Sequence, residues 1–104
     1  MQTQITVRHF DASTDLRAYA TEKLTKLKRY YDGITGAHIV LSDDGTPSNG
    51  KSAEIVLNVY RHTLSAKNSA GTHEEAIDQC VDRLRRQLVR YKDKLRSTDK
   101  NIQH

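Results

Sequence analysis

T-H-E-E-A-I-D-Q-C-V-D-R-L-R-R-Q-L-V-R-Y-K-D-K-L-R, residues 72–96, decides how this chain folds. Thr72 followed three residues later by Glu75 reads as a capping box that starts a helix. Ile77, Cys80, Val81, Leu84, Leu88, Tyr91 and Leu95 recur at three- and four-residue steps, so they share one face and bury it. Arg83, Arg86, Arg90 and Lys94 keep the same rhythm, which the spacing places roughly opposite the apolar side. Arg85, Lys92 and Arg96 fall on a second flank. The cationic row is about 17 Å long at 1.5 Å per residue, and it reads as the working surface.

Charge is concentrated there. Residues 1–60 hold seven Lys/Arg and seven Asp/Glu, whereas residues 61–104 hold ten and six, which supplies the whole net charge of +4. Between residues 83 and 96 seven cations face a single acid, Asp93. Cations gathered on one helix point to a polyanionic partner, since scattered ones would serve solubility equally well. The plain alternative is a solvated helix face.

Upstream of this helix, residues 2–9 alternate around Ile5 and Val7 as a first strand. Ser13 or Thr14 caps a helix that the pattern carries to Tyr31, with Gly33 as its stop. Leu16, Ala20, Leu24, Leu27 and Tyr31 form its apolar face, and Tyr19, Lys23, Lys26 and Tyr30 a mixed edge. Residues 37–41 form a short strand. D-D-G-T-P-S-N-G, residues 43–50, holds the one proline and reads as a flexible loop. Alternation from Ala53 to Tyr60 gives a third strand, a turn falls near Arg61-His62, and residues 64–70 give a fourth.

The order is β-α-β-β-β-α. Two amphipathic helices on one face of a four-stranded, mainly antiparallel sheet is the economical α+β solution, similar to a double-stranded RNA-binding domain. Residues 1–96 read as one domain and residues 97–104 as a short, frayed polar tail.

Several chemistries lack support. No run of the roughly 18–20 apolar residues that a membrane span needs is present, and no basic-then-apolar secretory leader opens the chain. A lone cysteine, Cys80, excludes an internal disulfide. It sits on the apolar face as a buried thiol, which fits a reducing, cytoplasmic setting. Phosphate-loop, dinucleotide, nucleophile-elbow and zinc-protease motifs are absent. His73-Glu74-Glu75 opens a helix without a second histidine one turn on. His9, His38, His62 and His104 have no ligand spacing, and Asp43-Asp44-Gly45 lacks the rest of a calcium loop. Neither an enzyme nor a cofactor or metal is expected. Tyr31 and Tyr91 read as core edge, while Tyr19 and Tyr30 could pack or stack on bases.

The element order, with L-R-A-Y-A-T-E-K-L-T-K-L-K-R-Y-Y-D-G-I (16–34), A-I-D (76–78) and R-Q-L-V-R-Y-K-D-K-L (86–95), resembles the bacterial ribosome hibernation-promoting factors. These were formerly labelled sigma-54 modulation proteins, and the resemblance covers about residues 3–95. It implies a non-catalytic protein that binds the small ribosomal subunit in stationary phase or starvation. Such a protein occupies the messenger RNA channel at the A and P sites and reversibly stops translation. By position, Lys23, Lys26, Arg83, Arg86, Arg90, Lys92 and Lys94 match the family's basic positions and are the expected ribosomal RNA contacts. Lys28, Arg29, Arg61, His62 and Lys67 are basic but outside the motifs, so they rank lower.

Two departures stand out. The family's D-M-Y-A-A-I-D is T-H-E-E-A-I-D here, residues 72–78, and a Gly-Gly hairpin is replaced by Arg61-His62. The length resembles the short form, which acts with ribosome modulation factor to give inactive ribosome dimers, the free protein being a monomer. The competing readings are a ribosome-associated inhibitor A type that stabilises single ribosomes, a generic double-stranded RNA binder, and a protein-interaction module acting on transcription.

Overall fold

The computed structural model describes the backbone of residues 1–102 and side chains through Leu95. The chain runs β1 (Gln2–Arg8), α1 (Thr14–Leu27), β2 (Gly36–Asp43), β3 (Lys51–Val59), β4 (His62–Ala70) and α2 (His73–Ile102). The strands lie in the order β1-β2-β3-β4. β1 and β2 are parallel because α1 carries the chain back between them, and the other two pairings are antiparallel. The α+β architecture expected from the sequence is the one found.

Register decides the two faces. Ile5, Ile39, Ile55 and Ala66 lie side by side across all four strands, as do Val7, Leu41, Ala53 and Asn68. Those rows face the helices, and Ile39, Leu41, Ile55 and Leu57 have no exposed surface. Leu24 and Leu27 of α1 and Ile77, Leu84 and Leu88 of α2 close the core over them. Each such aliphatic side chain contributes about 1.5–3 kcal/mol by leaving water. Cys80 is also fully buried, with its thiol 3.3 Å from the Ala53 carbonyl oxygen, and burial pushes its pKa up to about 11. It is a packed, unreactive thiol.

Local chemistry sets the element ends. Ser13 caps α1, its Oγ accepting from the Leu16 N–H at 3.1 Å, and Thr72 Oγ1 accepts likewise from Glu75 at 3.1 Å. α1 ends at Leu27, short of Tyr31. Its last turn tightens through bonds from the Lys28, Arg29 and Tyr30 amides to Thr25, Lys26 and Leu27. Gly33 is not the stop. It lies beneath the Tyr31 ring, where any side chain would overlap the phenol. Tyr31 leaves the helix to meet Tyr91 edge-on at 5.4 Å.

Two further boundaries differ from the sequence reading. The β3–β4 turn is Tyr60-Arg61, since Val59 pairs with His62, and Arg61 takes φ 61°. α2 continues past Arg96 to Ile102, because S-T-D-K-N-I contains no glycine or proline to break it. The last two positions of the expected tail, Gln103 and His104, lie outside the described residues, as does the side chain of Arg96. The 43–50 loop is closed by Asp44 N–H to Gly50 O at 3.0 Å and by Asx turns at Asp43 and Asp44.

Candidate nucleic-acid interface

Helix α2 packs across β3 and β4 with α1 alongside it. It therefore has one flank toward α1, another toward the outer strand β4, and a crest between them. Steps of 3.6 residues per turn distribute its charges over all three.

On the α1 flank, Lys23 and Lys26 of α1 and Arg85 of α2 line a shallow groove with Tyr30, Asp78, Val81 and Asp82. Lys92 lies one step further along, its Nζ 3.4 Å from the Tyr30 carbonyl oxygen. The Arg85 guanidinium stands 6.0 Å from the Tyr30 ring centroid, and Lys23 Nζ stands 5.3 Å from that of Tyr19. On the β4 flank, Arg83 donates to the Lys67 carbonyl at 3.4 Å and Gln87 to the Ser65 carbonyl at 2.9 Å. Arg90 and Lys94 follow, lining a second groove with His62, Leu64, Gln87 and Tyr91.

The row expected opposite the core is thus corrected to a rim beside β4, and the second flank expected from the spacing becomes a rim beside α1. Arg83, Arg90 and Lys94 form the β4 rim, and Lys23, Lys26, Arg85 and Lys92 form the α1 rim. The crest carries Glu75, Asp82 and Asp93 in the same line as Arg86. Asp82 holds Arg85 at 3.0 Å and Arg86 at 2.8 Å. These hydrogen-bonded and coulombic contacts, led by Arg85, hold its carboxyl below the usual carboxylate range. Asp78 pairs with Lys23 at 3.4 Å, and Glu22 with Lys26 at 3.4 Å. Exposed pairs of this kind contribute about 0–1 kcal/mol, so a phosphate can replace the carboxylate at small cost.

The lower-ranked residues separate. Lys28 is half-buried and Arg29 exposed in the turn after α1. The Arg61 guanidinium lies 5.2 Å from the Tyr60 ring centroid, and His62 meets Tyr91 edge-on at 5.4 Å. Lys67 pairs in register with Glu54 on the sheet face away from the helices, so its side chain joins neither rim. Arg85 is not among the contacts expected from sequence. Its seven-residue separation from Lys92 is the available signal, but only α1 packing beside it gives that flank a purpose. The altered 72–75 segment is firmly seated. His73 is 5% exposed, stacks on Phe10 at 4.2 Å, and its Nε2 donates to the Ser42 carbonyl at 2.8 Å.

Among the described residues no cluster of three or more His, Cys, Asp or Glu is arranged to hold a metal ion, and no helix is long and apolar enough to cross a membrane.

The family described as "Sigma 54 modulation protein / S30EA ribosomal protein" matches residues 3–96. The chain is 31% identical over 96 residues to the ribosome hibernation promoting factor of Escherichia coli K12, covering 92% of this chain and 98% of that protein. It is 33% identical over 91 residues to the ribosome hibernation promotion factor of Deinococcus radiodurans, covering 86% of this chain and 48% of that longer protein. The crystal structure of the Thermus thermophilus Protein Y N-terminal domain superimposes with a TM-score of 0.77 at 30% identity, over 88% of this chain and 99% of that one.

Proposed function

The chain belongs to the Sigma 54 modulation protein / S30EA ribosomal protein family, and from that premise we propose that it is a ribosome hibernation factor. It binds the small ribosomal subunit in the cytoplasm as a non-catalytic plug. Residues 1–96 form the binding unit, a monomer when free, and occupy the messenger channel across the A and P sites. Messenger and transfer RNA are excluded by occupancy, so inhibition reverses on release. With a partner such as ribosome modulation factor, the same plug favours inactive ribosome dimers.

The observation that supports this reading best is the pair of cationic rims on one packed scaffold. Lys23, Lys26, Arg85 and Lys92 stand on one side of α2 and Arg83, Arg90 and Lys94 on the other, with Arg86 between. Arginine forks and lysine ammonium groups set on both flanks of a stiff helix fit phosphates lining both walls of a groove. The acidic crest disfavours a strand lying directly along the ridge.

Co-sedimentation with purified small subunits tests it. Arg86 and Arg90 both changed to Glu should abolish pelleting while thermal unfolding stays near wild type. Undiminished pelleting of that folded variant rejects this surface. Helices on one sheet face also fit a generic duplex RNA binder, and competition separates the two. Excess arbitrary RNA duplex should fail to displace the protein from small subunits; efficient displacement favours the generic reading.

A further inference from the structure

Tyr60, at the tip of the β3–β4 hairpin, is 62% exposed, the most open of the large apolar side chains among the described residues. The Tyr60 carbonyl accepts from Tyr91 Oη at 2.5 Å, which ties the hairpin to α2. The ring itself projects into solvent, with the Arg61 guanidinium 5.2 Å from its centroid. Beyond the turn, His62 stands edge-on to Tyr91, and these two residues wall a groove of about 210 Å³ with Leu64, Gln87, Arg90 and Lys94.

An exposed ring beside a groove could meet a protein or a nucleotide, and the surroundings decide between them. A protein-binding aromatic ordinarily sits within an apolar core of its interface. Tyr60 instead has Arg61 against its ring, and the groove walled by Tyr91, to which its carbonyl is bound, holds His62, Arg90 and Lys94 with Leu64 the one aliphatic residue. Cations that flank an exposed aromatic match the alternation of phosphate and base along single-stranded RNA. Arg61 supplies a second planar group against which a base can be held.

We propose that the hairpin tip is a nucleotide-binding site for single-stranded RNA, in which an unpaired base stacks on Tyr60 and the adjoining phosphate enters the Arg90–Lys94 groove. This rests on the ribosomal RNA reading for its physiological ligand, and it extends the contact surface from helix flanks to an aromatic tip. Bases stack on aromatic rings without regard to sequence, so the site takes any unpaired nucleotide that reaches it.

The chain contains no tryptophan, so Tyr60→Trp places a single indole at the site. Titration with a short unstructured oligouridylate should quench its emission saturably, and added salt should restore it. Absence of quenching by both oligouridylate and small subunits overturns the proposal. Tyr60→Ala should weaken binding to small subunits by about 5- to 150-fold, the range that one base stack represents, with the thermal midpoint retained. Affinity of that variant within twofold of wild type also overturns it. Quenching by the oligonucleotide with no binding of wild type to small subunits would remove the ribosome reading and leave this site standing.

Discussion

The Tyr19 hydroxyl donates to Asp78 Oδ1 at 2.6 Å, across the seam where α1 meets α2. Lys23 reaches the same carboxylate oxygen from one turn further along α1. The α1 rim is therefore fixed to the α2 scaffold by two polar contacts above the apolar seam. Tyr19→Phe should lower stability by about 1 kcal/mol, below the roughly 1.5–3 kcal/mol of a bond to a charged acceptor because Asp78 is half exposed. Urea unfolding checks this.

The same bond holds the Tyr19 proton, and its pKa rises from 10.0 to about 12, with the Asp78 bond the largest cause and burial next. A raised folded-state value means that the stabilisation is complete below the unfolded pKa. It is then lost as pH climbs from about 10 toward 12. Burial also raises Tyr91, so ultraviolet titration should show late-ionising tyrosines, and Tyr19→Phe should remove one tyrosine's share of that late step.

Asp82 restrains Arg85 and Arg86 together, one acid between two cations of the proposed interface. Asp82→Asn releases both and removes a negative charge from the crest. Binding to small subunits should tighten by about two- to fivefold, the scale of an exposed ion pair. Weaker binding in a filter or sedimentation assay would show that Asp82 instead positions the arginines.

Arg83 and Lys67 touch through the Lys67 carbonyl, yet their side chains serve opposite sheet faces. Arg83→Glu should weaken small-subunit binding on the order of tenfold, as loss of a charge-assisted contact does. Lys67→Glu should change it by no more than about twofold. Equal losses measured side by side would mean that general charge, not the rims, sets affinity.

His73 carries a stability prediction. Its ring is buried against Phe10 while Nε2 donates to the Ser42 carbonyl. His73→Ala removes the stack and leaves that carbonyl unpaired, which should cost about 2–4 kcal/mol in denaturant unfolding.

The fold was legible wherever periodicity and capping agreed. Thr72 with Glu75, and the recurrence from Ile77 to Tyr91, located α2 and its buried face, and alternation located the strands. Misreadings arose where tertiary contacts overrode local pattern. Tyr31 continues the α1 periodicity but leaves the helix to meet Tyr91, so Gly33 looked like a stop when it makes room for a ring. A polar tail looked frayed after Arg96, although polarity alone does not break a helix. For the interface, the cationic residues and their division into a row and a second flank could be read from the chain, but the neighbour that each borders could not. Helical phase fixes angles around one axis; which neighbour lies at each angle depends on packing, and α1 beside Arg85 is known only from the fold.

The salt dependence of binding to purified small subunits, measured for wild type and for the Arg86→Glu, Arg90→Glu double variant, tests the central claim most directly. About six phosphate contacts require log K to fall against log salt with a slope of roughly −4 to −5, and the reversal should flatten that slope as well as weaken binding. A slope near zero for wild type, or an unchanged slope and affinity in the folded double variant, would contradict the claim that these rims hold ribosomal RNA.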